Sequence, residues 1–408
     1  MQCGLLGRKL GHSYSPQIHN MLADYAYKLF EVEPDQLADF LRSDNFSGLN
    51  VTIPYKKDVI AYCDTLSDRA QILGAVNTLV RRDGKLIGHN TDYYGFESMV
   101  QRCGVSPDGK KALVLGSGGA SVTAVAVLRE LGANVIVISR NGENNYNNLD
   151  LHADAAFIVN ATPVGMYPET AQSPIDLSIF PNLECVLDLI YNPANTKLLQ
   201  DAQARGIANQ NGLWMLVAQA KESAEWFLNK PIPDQRIREI YDLIRIQMEN
   251  IILIGMPGCG KTTVGKLLAE TLGRTFVDAD AVVEERAGRT IPTIFSTQGE
   301  SVFRQLETQV LADLGKTSGL VISTGGGCVT QSVNYPHLHQ NGKIFWLQRC
   351  IDALPTDGRP LSQINRLGDL YQQRKPMYES FCDHQVNNDD SPEETVRQII
   401  AKLKEGNL

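Results

Sequence analysis

The chain has 408 residues, a length for two or three domains, with 43% hydrophobic and 21% charged residues, the balance of a globular protein rather than a disordered chain. Its formal charge of −8 argues against a nucleic-acid-binding surface. Eight scattered cysteines without a C-x-x-C pair or metal-ligand spacing read as the reduced thiols of a cytoplasmic protein, and no apolar run approaches the ~20 residues that a membrane helix needs.

The opening Cys3-Gly4-Leu5-Leu6-Gly7 reads as a strand that starts at once, so no targeting segment is expected. Gly11, Ser13, Ser15 and Pro16 form a turn into a helix, with Ser15 as its N-cap and Pro16 in its first turn. Two serine hydroxyls at a turn suit a polyhydroxylated small molecule; capping alone is the plainer reading. A short apolar strand from Gly48 then delivers Asn50, Thr52, a proline stop at Pro54 and Lys56. Asn77 and Asp92 each read as a polar group at the end of a β-like run. Singly, such residues read as solvated surface.

Residues 112–115 are apolar and end in Gly116-Ser117-Gly118-Gly119-Ala120-Ser121, with a helix expected over 122–131 and a second strand over 133–140. Strand, glycine turn, helix, strand is a mononucleotide-binding unit. The second strand ends about 20 residues after the loop glycines, where the adenosine ribose is read. An acidic residue there would suggest NAD; Arg140 suits the 2′-phosphate of NADP, with a solvated arginine as the alternative. The Asn-rich stretch 141–148 reads as a loop, and helices are expected over 218–228 and 235–246.

Residues 251–254 are apolar and lead into Gly255-Met256-Pro257-Gly258-Cys259-Gly260-Lys261-Thr262-Thr263 and then a helical pattern. This is a complete G-x-x-x-x-G-K-S/T phosphate loop in its strand–loop–helix context. Its glycines turn backbone N–H groups toward phosphate oxygens, and the helix N-terminus adds partial positive charge. Lys261 would reach the β/γ-phosphates and Thr262 would hold Mg2+. Such a strand normally opens a domain, so the chain reads as two enzymes joined near Gln247. Asp278 and Asp280 follow at a strand end, where alternate side chains share a face, one to support Mg2+ and the other to accept a substrate proton.

The linked patterns H-S-x-S-P-x-x-H-N, N-V-T-x-P-x-K, G-A-V-N-T and N-T-D-x-x-G, in this order, resemble the shikimate dehydrogenase family, as do N-A-T-P-x-G-M from Asn160 and the surroundings of Asp188 and Gly212. The resemblance implies that Ser13, Ser15, Thr52, Asn77 and Asp92 bind substrate with Tyr191 and Gln219, and that Lys56 and Asp92 are the catalytic pair. It implies that Gly116, Ser117, Gly118, Gly119, Ala120 and Arg140 bind NADP, with Leu189 and Gly212 beside the nicotinamide. Where the family carries a helix after the ribose-reading arginine, this chain has a short Asn-rich connection without a second arginine.

Behind the phosphate loop, D-x-D, G-E-x-x-F-R-x-x-E, G-G-G, R-P-L and a late R-x-x-x-Y resemble shikimate kinase. That resemblance implies that Asp280, Arg304, Gly326 and Arg374 hold shikimate. Lys261 and Asp280 would be catalytic. Gly258, Cys259, Gly260, Lys261, Thr262, Thr263 and the lid residue Arg359 would bind ATP, and Thr262 and Asp278 would bind Mg2+. The stretch between Leu347 and Arg359 is shorter than the family's helix and lid.

The expected architecture is α/β throughout: an N-terminal α/β substrate domain over 1–95, completed by helices within 216–246; a Rossmann dinucleotide-binding domain over 96–215; and a P-loop parallel-sheet kinase domain over 248–408. The function implied is NADPH-dependent reduction of 3-dehydroshikimate followed by ATP-dependent phosphorylation of shikimate. A quinate-type dehydrogenase fused to a related small-molecule kinase, or a metabolite sensor without turnover, are the alternatives. Oligomeric state is left open, a homodimer among the options.

Overall fold

The computed structural model describes residues 1–11, 13–354 and 364–405, without the side chains of 364–366 and 405. Two compact units emerge: Met1–Tyr191 with Leu198–Leu243, and Asn192–Lys197 with Ile244–Leu408.

The first unit opens with β1 Gln2–Gly7, α1 Ser15–Leu22, β2 Ala26–Glu31, α2 Leu37–Arg42, β3 Gly48–Val51, β4 Thr65–Leu66, α3 Asp68–Leu73, β5 Thr78–Arg82, β6 Lys85–His89 and α4 Asp92–Cys103. These strands make a mixed sheet of order β2-β1-β3-β5-β6-β4. The β5–β6 hairpin closes on Asp83 and Gly84, both at positive φ, the turn that matches the right-handed strand twist. Pairing of Thr78 with His89 sets the start of β5, which Asn77 precedes, beside the end of β6, three residues before Asp92. Asn77 therefore precedes its strand rather than ending one. Ser15 is the first helical residue of α1 and not its cap; Tyr14 occupies the N-cap, and the Ser15 N–H donates to Ser13 Oγ at 3.2 Å.

Next come β7 Lys111–Leu115, α5 Gly119–Glu130, β8 Asn134–Ile138, β9 Phe157–Asn160, β10 Cys185–Asp188, α6 Lys197–Ala204 and β11 Ala208–Gln210. The second sheet, ordered β11-β10-β9-β7-β8, is parallel at every pairing. Strand order reverses beside β7, whose C-terminal end faces the crevice where doubly wound folds bind ligands. Helix α5 starts at Gly119, earlier than expected, because the last loop glycine and Ala120 form its first turn. The Asn-rich connection holds only a short 3-10 turn, Leu149–His152. Helices α7 Leu213–Leu228 and α8 Gln235–Met248 follow, and α7 packs on α1 and α4 of the first sheet's lobe.

Helix α8 runs on through Gln247, the expected join, and β12 Asn250–Ile254 begins two residues after its end. The second unit continues with α9 Lys261–Leu272, β13 Thr275–Asp278, α10 Ala279–Ala287, α11 Ile291–Gln298, α12 Glu300–Lys316, β14 Leu320–Ser323, α13 Asn334–His339, β15 Gly342–Gln348, α14 Ile364–Phe381, β16 His384–Asn387 and α15 Pro392–Glu405. Its sheet is parallel, ordered β13-β14-β12-β15-β16. Ile251, Ile252, Leu253 and Ile254 are fully buried in the central strand, which is why that run lacks alternation. Each contributes at most about 1.5–3 kcal/mol by leaving water, which makes β12 a rigid base for the loop that follows.

Candidate active sites

In the first unit Lys56 Nζ lies 2.5 Å from Asp92 Oδ2, and both groups are partly exposed. Lys56 leaves the loop after β3 and Asp92 opens α4, so the pair forms only when hairpin and loop close. The Val76 N–H donates to the Lys56 carbonyl at 2.7 Å, which ties the lysine's backbone to the residue before Asn77.

Asn77 is buried, and its amide is oriented by its neighbours. The Thr91 N–H donates to Oδ1 at 2.7 Å and the Thr78 hydroxyl donates to it at 3.0 Å, while Nδ2 donates to Thr91 Oγ1 at 3.1 Å. The remaining hydrogen on Nδ2 is what Asn77 can offer a ligand. Thr91 Oγ1 also reaches Gln219 Oε1 at 3.4 Å and Ser223 Oγ at 3.0 Å. Asn50 donates to Ser223 Oγ at 2.7 Å and accepts from the Tyr27 hydroxyl at 2.8 Å. A buried polar chain thus runs from β2 through β3 and the hairpin to α7. Asn50, Thr91 and Ser223 were not singled out as site residues, since sequence separations such as the 173 residues between Asn50 and Ser223 hide the contact.

Ser13 and Ser15 sit at the start of α1, and Tyr14 between them meets the Tyr191 ring edge-on at 6.3 Å. The Thr52 N–H is held by the Leu6 carbonyl at 2.9 Å. Thr52 follows β3, Asn77 precedes β5, Asp92 follows β6 and opens α4, Tyr191 follows β10 and Gln219 lies on α7.

At the crevice of the second sheet Gly116 has φ 104°, and a Cβ there would stand 3.0 Å from the Thr162 methyl, so only glycine suits this turn. Gly118 and Gly119 have open space where a Cβ would be, so the N-terminus of α5 is free to take an anion. Gly212 packs so closely on Leu189 that a side chain would collide with that carbonyl, which brings together the two residues expected at the nicotinamide. Arg140 is exposed after β8, near enough for its charge to act on the Tyr146 phenol.

In the second unit a cavity of about 860 Å³ is lined by Gly258, Gly260, Lys261, Thr262, Thr263, Asp278, Asp280, Arg304, Gly326 and Arg374. Lys261 Nζ donates to the carbonyls of Gly255 and Met256 at 2.9 and 3.1 Å, folding back over its own loop. Gly260 caps α9 with φ 98°. The Asn388 amide holds the Cys259 carbonyl at 2.5 Å from below. The Thr262 hydroxyl donates to Asp278 Oδ2 at 3.0 Å.

The two aspartates do not alternate along a strand. Asp278 ends β13 and caps α10, accepting from the Asp280 N–H at 3.1 Å, while Asp280 belongs to the first turn of the helix. The D-x-D spacing thus serves a cap and a free carboxylate. Burial, then the charge of Asp278, pushes the Asp280 carboxyl above its ordinary range. Its Oδ1 is buried without a hydrogen bond.

Arg304 donates to Glu307 Oε2 at 2.7 Å and to Glu300 at 3.0 Å. Arg374 Nη1 donates to the Gly326 carbonyl at 3.0 Å, shared with the Tyr378 hydroxyl at 2.5 Å. A Cβ at Gly325 would stand 2.6 Å from Glu307 Oε1 and 2.7 Å from Asp280 Oδ1, so the glycine run leaves room for two carboxylates. Glu307 was missed as a site residue, although its place three residues after Arg304 on a helix was a usable signal. Arg359 lies outside the described residues.

The first unit is therefore that of a dinucleotide-dependent oxidoreductase, and the second that of a P-loop phosphotransferase. Comparison with known proteins sharpens both. Residues 5–79 match the model of the shikimate dehydrogenase substrate binding domain, and residues 257–404 match that of shikimate kinase. A shikimate dehydrogenase (NADP(+)) of Clostridium perfringens (strain 13 / Type A) is 35% identical over 264 residues, 59% of this chain and 97% of the relative. One from Oleidesulfovibrio alaskensis is 41% identical, over 58% and 93%. Among solved structures, a chorismate mutase/shikimate 5-dehydrogenase fusion protein from Clostridium acetobutylicum aligns with TM-score 0.57 at 36% identity, covering 60% of this chain and 96% of that one. The Thermus thermophilus shikimate 5-dehydrogenase in complex with NADP(H) and shikimate aligns with TM-score 0.54 at 31% identity, covering 59% and 98%. The chain belongs to the shikimate dehydrogenase family, and it carries a shikimate kinase domain behind that part.

Proposed function

We propose that this protein catalyses two consecutive steps, reduction of 3-dehydroshikimate to shikimate with NADPH and phosphorylation of shikimate with ATP. In this reading residues 1–95, completed within 216–246, bind the first substrate; 96–215 bind NADP; and 248–408 form the kinase in a cytoplasmic enzyme. The observation that carries it is the joint presence, in one unit, of the Lys56–Asp92 pair and an open glycine-turn helix end and, in the other, of Lys261, Asp280, Arg304 and Arg374 around one cavity.

The reduced nicotinamide supplies a hydride when bound, and the open α5 N-terminus with Gly116 fits its diphosphate. Lys56 donates a proton to the oxygen that gains charge as the ketone is reduced, and its ammonium stabilises that charge beforehand. Asp92 aims the ammonium and accepts from a substrate hydroxyl. Ser13, Ser15, Thr52, Asn77, Tyr191 and Gln219 hold the ring's hydroxyls and carboxylate. Arg140 faces the ribose 2′-phosphate, which favours NADP over NAD.

In the kinase, the loop 255–262 cradles the phosphates. Thr262 and Asp278, already paired as hydroxyl and carboxylate, fit Mg2+, which would neutralise phosphate charge. Asp280 accepts the proton of the attacking hydroxyl, and its raised pKa makes it a better base than an ordinary carboxylate. Arg304 and Arg374 pair the substrate carboxylate, and Arg359 belongs to the ATP side.

The test is incubation of the purified protein with 3-dehydroshikimate and NADPH, with and without ATP and Mg2+, followed by mass spectrometry. Shikimate without ATP and shikimate phosphate with it is the expected outcome. Absence of shikimate in both tubes overturns the first half; shikimate in both tubes overturns the second.

A further inference from the structure

Cys103 and Cys185 bring their sulfurs to 2.8 Å inside the first unit, although all eight cysteines are free thiols. Non-bonded heavy atoms sit at their optimum at about 3.5–4.0 Å, and a disulfide needs about 2.05 Å. The pair stands between the two. We propose that Cys103 and Cys185 form an oxidant-sensitive dithiol that closes to a disulfide within the folded protein. The proposal is independent of the substrates assigned above.

Cys103 is the last residue of α4 and is half-buried; Cys185 is the first of β10 and is fully buried. The first can meet a small oxidant and the second can only meet the first. The hydrogen bond shared with Cys185 holds the Cys103 thiol below its ordinary value, while that neighbour and burial push Cys185 up. This division assigns Cys103 as the nucleophile and Cys185 as the resolving thiol. No other described contact requires sulfur at both positions, since buried cysteine otherwise packs as a small apolar side chain.

With hydrogen peroxide as oxidant, the Cys103 thiolate attacks one peroxide oxygen, the O–O bond breaks and the hydroxide released leaves as water after protonation. The Cys103 sulfenic acid is then attacked by the Cys185 sulfur, the S–O bond breaks, and the second water carries off the thiol proton. Two thiols are oxidised and one peroxide is reduced to two waters. The bond would join the far ends of two elements whose other ends carry Asp92 and lead to Leu189.

The experiment treats the reduced full-length chain briefly with hydrogen peroxide, alkylates it under denaturing conditions and maps its peptides. The expected result is two fewer alkylated thiols, one cross-linked peptide pair carrying Cys103 and Cys185, and full reversal by dithiothreitol. Replacement of the exposed Cys350 by serine should leave this unchanged. In Cys185→Ser, Cys103 should accumulate as a sulfenic acid that dimedone traps, an outcome mere packing would not give. Full alkylation of both thiols after peroxide, or thiol loss without that cross-link, overturns the proposal on the wild-type chain alone.

Discussion

The ammonium of Lys56, in the loop after β3, and the carboxylate of Asp92, at the start of α4, stand 2.5 Å apart, and neither is fully desolvated. An ion pair of this kind adds little to stability. In the proposed mechanism its worth is in holding a proton donor where a substrate oxygen can meet it. Lys56→Ala should lower the dehydrogenase rate by roughly 10²–10⁴-fold while the kinase rate stays within a factor of two or so. Separate assays of the two half-reactions check this. Loss of both in a folded variant would contradict two independent sites.

Lys261→Ala should do the reverse. The lysine cannot be replaced by its neighbours, because Arg304 and Arg374 are already committed to Glu307, Glu300 and the Gly326 carbonyl. Phosphorylation should fall by at least about 10²-fold, with NADPH oxidation unaffected. Coupled assays on one preparation give both numbers.

In the proposed mechanism the pH dependence of the kinase follows from Asp280. As a base it must be ionised, and burial with the Asp278 charge raises its pKa. The acid limb of kcat/KM should therefore lie above the ~3.9 of an unperturbed aspartate. Asp278→Asn removes the like charge, so the limb should move to lower pH even as Mg2+ dependence worsens. A limb that stays put would dissociate it from Asp280.

The glycine loops were legible because local chain chemistry fixes them. Gly116 and Gly260 must adopt positive φ, and the apolar run 251–254 must be buried on both faces. The Asp278–Asp280 pair was legible as two carboxylates but not in its geometry, since a helix cap overrides strand alternation. Asn50, Thr91 and Ser223 were not legible as a network: short polar side chains far apart in the chain become partners only when α7 returns to the first lobe. Glu307 was within reach, given its spacing from Arg304.

That network supplies a stability prediction. Ser223 Oγ accepts from Asn50 and donates to the Gln219 carbonyl at 2.9 Å. Ser223→Ala leaves a buried amide hydrogen of Asn50 without its short partner, a cost of about 1–3 kcal/mol. Urea unfolding followed through dehydrogenase activity should show it, with a raised KM for shikimate because Gln219 and Thr91 lose their shared anchor.

Last, His19 is fully buried, stacked at 4.0 Å on Tyr27 and within 5.8 Å of Phe227, with Nδ1 2.6 Å from the Tyr25 hydroxyl. Burial, its dominant influence, pushes the imidazole down to about 3. In the unfolded chain it takes up a proton near pH ~6.5, and in the folded one it does not. The unfolded state thus binds more protons between these values, so stability falls as pH drops through ~6.5 toward about 3, by roughly 1 kcal/mol per pH unit. His19→Phe keeps an aromatic ring in the stack and removes the titration. Its urea midpoint should lose this part of the slope between pH ~6.5 and ~4.5, while wild type retains it. Equal slopes would mean that His19 protonates in the folded protein and that the stack opens to water.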